Sequence, residues 1–223
     1  MDNSNTTHDG YIGKERFQRE VEAKRRRYHQ SPTNSAVTDW GLSEIKKIIQ
    51  KGPVLDLACG NGRHTQDLKV GDYLLCAGDI SFPMLEEAKN HLRDVQQLSF
   101  LRLDAENLPY PDHSLEATFS ARFFHHLPKE VRAKVLSEIF RVTQKAAVVT
   151  IKKRFSFEHI RTAIKYLLKG KPFQYQRHFV AVKEFEDVAR SHGWRVKQAY
   201  SPWGFFSANC SVLFEPIQKV SSR

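Results

Sequence analysis

Apolar residues follow two rhythms along this chain. Val54 to Leu57, Tyr73 to Ala77, Leu98 to Leu103, Ala117 to Ser120 and Ala146 to Ile151 are short, nearly continuous apolar runs, the pattern of strands buried on both faces. Between them, Asn61 to Leu68, Pro83 to Val95 and Lys129 to Val142 carry apolar residues at helical spacing, as in Val131, Val135, Ile139 and Val142. This alternation predicts an α/β fold whose mostly parallel sheet is covered by helices on both faces. Upstream, Trp40, Leu42, Ile45, Ile48 and Ile49 predict a core-packing helix from Asp39, as its N-cap, to Gln50, where Gly52-Pro53 stops it. Lys14 to Tyr28 reads as a charged helix broken by Ser31-Pro32. Downstream, Lys183 to His192 reads as a helix, and Trp194 to Tyr200 and Cys210 to Phe214 as strands. Only the turn-prone Ser201-Pro202-Trp203-Gly204 and a few residues separate these strands, so they should form an antiparallel hairpin at the edge of a seven-stranded sheet.

A length of 223 residues allows one full-sized domain with decorations. We divide it into an N-terminal arm and charged helix (1–37), a core (38–151), a basic insert (152–181) and a C-terminal helix with edge strands that complete the same domain (182–223). Hydrophobic residues at 40% and charged residues at 27% suit a packed soluble domain. No apolar run approaches the ~18 to 20 residues of a membrane span, and Met1 to Gly10 lacks the apolar stretch of a signal peptide. The expected location is therefore cytoplasmic, with the inner face of a membrane as an alternative. Cys59, Cys76 and Cys210 show no zinc-type spacing, so reduced thiols and no metal are expected. The net charge of +10 permits acidic partners. It is concentrated in residues 151–180, where Lys152, Lys153, Arg154, Arg161, Lys165, Lys169, Lys171 and Arg177 face only Glu158.

The chemistry begins at Val54-Leu55-Asp56-Leu57-Ala58-Cys59-Gly60-Asn61-Gly62-Arg63, a strand running through a glycine loop into a helix. Doubly wound sheets place nucleotide-like ligands there. Gly60 and Gly62 permit torsions and close approaches that a Cβ blocks. A further strand ends at Gly78-Asp79-Ile80, about 20 residues on, the separation at which such folds present an acid to ribose hydroxyls. Thr65 stands where a third dinucleotide-type glycine would be, so no pyrophosphate cradle is indicated.

Four motifs in this order resemble the class I S-adenosylmethionine-dependent methyltransferases, the broad group that includes ubiquinone-biosynthesis and tRNA-wobble enzymes. They are the Asp56 to Gly62 loop, Asp79-Ile80-Ser81 with Met84-Leu85, Asp104-Ala105-Glu106-Asn107-Leu108-Pro109-Tyr110, and Phe124-His125-His126-Leu127 leading to Glu138-Ile139-Phe140-Arg141-Val142. The resemblance covers residues 38 to 151, and the C-terminal strands by pattern only. It implies a Rossmann-like domain that binds S-adenosylmethionine. Gly60 and Gly62 would lie under its methionine and sugar, Asp79 would hold the ribose hydroxyls, and Ile80 would meet the adenine. Asp104 and the Ala105 backbone would face the adenine amino group, and Ala121 would contact the cofactor. Asp56 either positions the cofactor or caps the turn, and Asp104 has a surface-turn alternative. Thr143-Gln144-Lys145-Ala146 replaces the family's usual Leu-Lys-Pro-Gly-Gly turn, which leaves the start of the fifth strand open.

Methyl transfer is an in-line displacement, so alignment and water exclusion dominate, and a base is needed only when the nucleophile must lose a proton. His125 is the expected base or substrate-orienting group, while His126 suits a cap for the helix that follows. Phe124 is a candidate substrate contact, with core packing as its alternative. In the insert, within Phe157 to Leu168, Ile160, Ile164, Leu167 and Leu168 share a helical face flanked by Arg161, Lys165 and Lys169, a basic amphipathic helix. Three readings stand: a lid whose cations, Lys165 and Lys169 among them, meet an anionic substrate; a helix docked on an anionic membrane; and a solvated outer helix. The expected acceptor is a small or lipid-linked, anionic molecule. RNA is the competing acceptor, and a non-catalytic cofactor-binding regulator or scaffold is the competing class.

Overall fold

The computed structural model describes residues 32–69, 71–154, 156–168 and 179–218. The charged helix expected over Lys14 to Tyr28, and Lys169, Lys171 and Arg177, lie outside these residues. Seven strands form one sheet: β1 (Val54–Leu57), β2 (Leu75–Asp79), β3 (Leu98–Arg102), β4 (Leu115–Ser120), β5 (Thr143–Lys152), β6 (Trp194–Tyr200) and β7 (Asn209–Pro216). Their order is β3-β2-β1-β4-β5-β7-β6. The first five pair in parallel, and β7 lies antiparallel to both β5 and β6. The expected α/β fold with an antiparallel edge hairpin is therefore present.

The helices are α1 (Pro32–Lys46), α2 (Thr65–Leu68), α3 (Phe82–His91), α4 (Lys129–Val142), α5 (Phe157–Leu168) and α6 (Val182–Ser191). Strand alternation divides the core into two layers. Leu55, Leu57, Ala147, Val149, Val212 and Phe214 pack with Ile139, Phe140 and Phe185 from α4 and α6. Val54, Phe119, Ala146, Val148 and Leu213 pack with Leu42 and Ile45 from α1 on the other face. Gly41 lets α1 come close: a Cβ there would stand 2.7 Å from Ser211 Oγ and 2.9 Å from Val148 Cγ1.

Among the boundaries that differ from the sequence reading, two bear on how the sheet is covered and paired. α1 starts at Pro32, so Asp39 lies inside the helix and does not cap it. A proline that ends one segment is equally suited to the first turn of the next, where its missing N–H has no partner to lose. The start of β5 is also settled. α4 runs into the strand without a turn, and the Thr143 N–H donates to Ile139 O. A register shift between Leu115 and Ala117 absorbs the extra residue, and the Thr118 and Thr143 hydroxyls meet at 2.6 Å.

Candidate active site

The carboxyl ends of β1, β2, β3 and β4 converge on the glycine loop. Ala58, Gly60 and Gly62 have φ of 59°, 58° and 76°, so the loop turns sharply three times before α2. The two glycines serve different ends. A Cβ on Gly62 would strike Leu92 Cδ1 at 2.7 Å and Ala88 Cβ at 3.0 Å, so this residue lets the loop close against α3. Nothing lies within 4 Å of the Cβ position of Gly60, which leaves open space above the loop.

Asp79, 9% exposed, holds the loop in place. One carboxylate oxygen accepts the Gly60 N–H at 2.8 Å, and the other accepts the Ser81 N–H at 2.9 Å. These two bonds fix the orientation of the carboxylate at the end of β2, next to the Gly60 turn. Asp56 lies beneath the loop on the same sheet face as Val54 and accepts the Thr65 hydroxyl at 2.6 Å, tying β1 to α2. Burial pushes its carboxyl up to about 7, against the Thr65 hydrogen bond and with a further rise from the charge on Asp79. Burial likewise raises the Cys59 thiol, helped by both acids, so it is a protonated packing group and not a nucleophile.

Asp104 opens the next loop. Its side chain accepts the Glu106 N–H at 3.0 Å, and its carbonyl accepts the Asn107 N–H at 3.1 Å; Ala105 is buried behind it. α4 holds this loop firmly. Arg141 pairs with both oxygens of Glu138 at 2.7 Å, with Asp112 at 2.8 Å, and with the carbonyls of Leu108 and Tyr110. Glu138 in turn accepts the Leu108 N–H at 2.8 Å. The Arg141 hydrogen bonds hold the Glu138 carboxyl below its ordinary value.

After β4 the chain passes through half-buried Ala121 and Arg122, whose φ is 58° and whose N–H donates to Thr150 Oγ1 at 2.6 Å. A short 3-10 turn, Phe124–His126, follows. His125 is 5% exposed, with its ring 4.2 Å from that of His126. Phe124 is fully buried, edge-on to Phe123 and Phe185, whereas Phe123 is half-buried. Lys165 is exposed on α5, and Lys169 lies outside the described residues.

The sequence reading passed over His64. It follows the glycine loop directly, and its Nε2 is buried without a hydrogen-bond partner among the described residues. Burial, then Arg63 and Arg122, lower it to about 4, so it is a neutral imidazole beside two guanidinium groups. The signal was the Arg63-His64 pair immediately after Gly62.

A family model described as a methyltransferase domain matches residues 54–146, the span that holds the glycine loop and all three acids. The chain carries a methyltransferase domain. The Arabidopsis thaliana tRNA (carboxymethyluridine(34)-5-O)-methyltransferase is 32% identical over 124 residues, which is 55% of this chain and 29% of that protein. The malonyl-[acyl-carrier protein] O-methyltransferase of Hamiltonella defensa is 29% identical over 122 residues, 55% of this chain and 45% of that protein. The match thus spans less than half the length of either relative. Among solved structures, the magnesium protoporphyrin IX methyltransferase of Synechocystis PCC 6803, crystallised with bound SAH, superposes with a TM-score of 0.73. It is 16% identical, and the match covers 92% of this chain and 98% of that one, so the methyltransferase domain and the edge hairpin together reproduce one known fold.

Proposed function

We propose that the chain binds S-adenosylmethionine above the glycine loop and transfers its methyl group to a small or lipid-linked acceptor that carries negative charge. The observation that carries the reading is the Asp79 carboxylate locked onto the Gly60 N–H beside open space, within the matched domain. Asp79 would accept the ribose hydroxyls, Ile80 would lie against the adenine, and Asp104 with the Ala105 backbone would face its amino group. Gly60 leaves room for the methionine and sugar, Gly62 fixes the loop, and Asp56 and Ala121 border the same cleft. The bound cofactor supplies an electrophilic methyl on a sulfonium. The protein's part is to align the acceptor and exclude water, with His125 orienting the nucleophile or taking its proton.

The two curated relatives are named for different acceptors, so the anionic acceptor rests on this chain's own charge. Lys165 on α5 and the cations beside His64 supply it, and Lys169 belongs to the same group in sequence. Calorimetry with S-adenosylmethionine and its demethylated product tests the first half of the reading; no heat of binding to the folded chain would end it. Label transfer from radioactive donor into fractionated extract tests the second. Label in small molecules or lipids supports the reading, label in RNA replaces the acceptor, and cofactor binding without transfer to any fraction replaces the enzyme with a regulator.

A further inference from the structure

Helix α5 is mounted with its apolar side outward. At 3.6 residues per turn, Phe157, Ile160, Ile164, Leu167 and Leu168 share one side, and all five are exposed, Leu167 by 79% and Leu168 by 81%. The half-buried positions on the opposite side are His159, Ala163 and Tyr166, with His159 stacked on Phe179 at 4.2 Å. Surface helices of globular domains normally show the reverse arrangement, apolar stripe toward the core.

A second apolar element adjoins it. In the loop between β6 and β7, Trp203 is 71% and Phe206 66% exposed, and Phe205 is exposed as well. The Phe206 ring lies 5.9 Å from Phe157 and 6.1 Å from Phe205. Polar contacts fix the loop in this position. Lys153 Nζ donates to Gly204 O at 2.7 Å and to Ser201 Oγ at 3.0 Å. Glu158 on α5 accepts the Ala208 N–H at 3.2 Å and pairs with Lys152 at 3.4 Å. Both elements leave the sheet where Lys152 pairs with Asn209, at the same end as the glycine loop. The result is one apolar surface of helix and loop beside the candidate cleft.

Charge identifies what this surface fits. Residues 153–168 and 201–208 carry Lys153, Arg154, Arg161 and Lys165 against Glu158 alone, and Glu158 is already tied to Lys152. Arg161 and Lys165 adjoin the apolar stripe on one side of the helix. Phenylalanine, leucine, isoleucine and tryptophan with lysine and arginine at the border is the composition of helices that lie in the plane of an anionic bilayer. A second copy packed symmetrically on this face would set Arg161 and Lys165 against themselves, and a phosphate backbone offers nothing to cover the apolar side chains. No described helix is long and apolar enough to cross a membrane, so contact would be in the interface plane.

We propose that α5 and the 201–208 loop form a docking surface for a bilayer containing anionic lipid. The proposal does not depend on methyl transfer. Flotation of the full chain with phosphatidylcholine vesicles, with and without phosphatidylglycerol, tests it. Folding of each variant is checked by circular dichroism, so cofactor binding does not enter. The chain should float with the phosphatidylglycerol vesicles, and brominated acyl chains should quench its tryptophan emission. Trp203→Phe should remove that quenching, since Trp194 is buried and Trp40 half-buried. The double variant Ile164→Ser, Leu168→Ser should lower partitioning about tenfold or more, and Arg161→Gln or Lys165→Gln about fivefold each at low salt. Failure to bind phosphatidylglycerol vesicles overturns the proposal, as does binding that is indifferent to the serine variant. Equal binding to phosphatidylcholine alone overturns the anionic assignment. A dimer in light scattering that the serine variant abolishes, without vesicle binding, assigns the face to a second copy.

Discussion

Replacing Asp56 by asparagine should make the protein more stable at neutral pH and remove a pH dependence that this residue imposes. The side chain is buried beneath the glycine loop, and burial raises its carboxyl from 3.8 to about 7. The unfolded chain releases this proton near the ordinary value. Between the two values the folded state binds a proton that the unfolded state has lost, so stability falls as pH rises. The slope is about 1.4 kcal/mol per pH unit, which accumulates to about 4 kcal/mol over the window from 3.8 to about 7. Below that window the contribution is intact, and above it the loss is complete. Asparagine carries no charge to desolvate and keeps an oxygen for the Thr65 hydroxyl. Urea unfolding of both proteins at a series of pH values isolates the effect, because titrating groups that do not interact with Asp56 cancel in the difference, and Asp79 and Cys59 are the neighbours that do interact. The stability gap should open in favour of Asp56→Asn as pH rises, by an amount on the order of the 4 kcal/mol above. A gap that stays flat would mean that the Thr65 hydrogen bond outweighs burial and keeps the folded carboxyl ionised.

Asp79→Ala should weaken binding of the demethylated cofactor by about 1.5 to 3 kcal/mol, the scale of a lost charge-assisted hydrogen bond; unchanged calorimetric affinity in a folded variant removes the ribose assignment. His125→Ala should lower turnover about 10²-fold or more while leaving cofactor affinity intact, and full activity across pH would leave the residue with a packing role only. Gly41→Ala should destabilise by about 1 to 3 kcal/mol despite alanine's better helix propensity, because the new Cβ meets Ser211 and Val148 under 3 Å away. A raised melting temperature would show that α1 shifts to accommodate it.

The strands and most helices were legible because period and composition agree with their burial. Val54 to Leu57, Lys129 to Val142, Phe157 to Leu168 and Trp194 to Tyr200 coincide with elements of the structure. The glycine loop and its acids were readable as a motif, since strand, turn and helix fall in a fixed order. What Asp79 holds was not, because its partners are backbone N–H groups, one of them nineteen residues upstream, that no side-chain pattern reveals. The direct passage of α4 into β5 escaped for a similar reason: it depends on a register shift against β4, which neither segment encodes alone. For α5 the stripe was visible, but which way it faced was not. Periodicity gives the angular distribution of apolar side chains, and only the packing of His159 and Tyr166 decides which side turns inward.

The strand order carries a consequence for how the chain is assembled during synthesis. β7 is the last of the described strands in sequence, yet it lies inside the sheet, between β5 and β6. Until a ribosome has released it, β5 has an open edge of unpaired backbone groups and β6 has no strand to pair with. The matched domain of residues 54–146 therefore emerges well before the strand that covers its flank. A nascent chain halted between α6 and β7 presents an adhesive ribbon edge, and pairing with other stalled copies or capture by a chaperone would compete with completion of the fold.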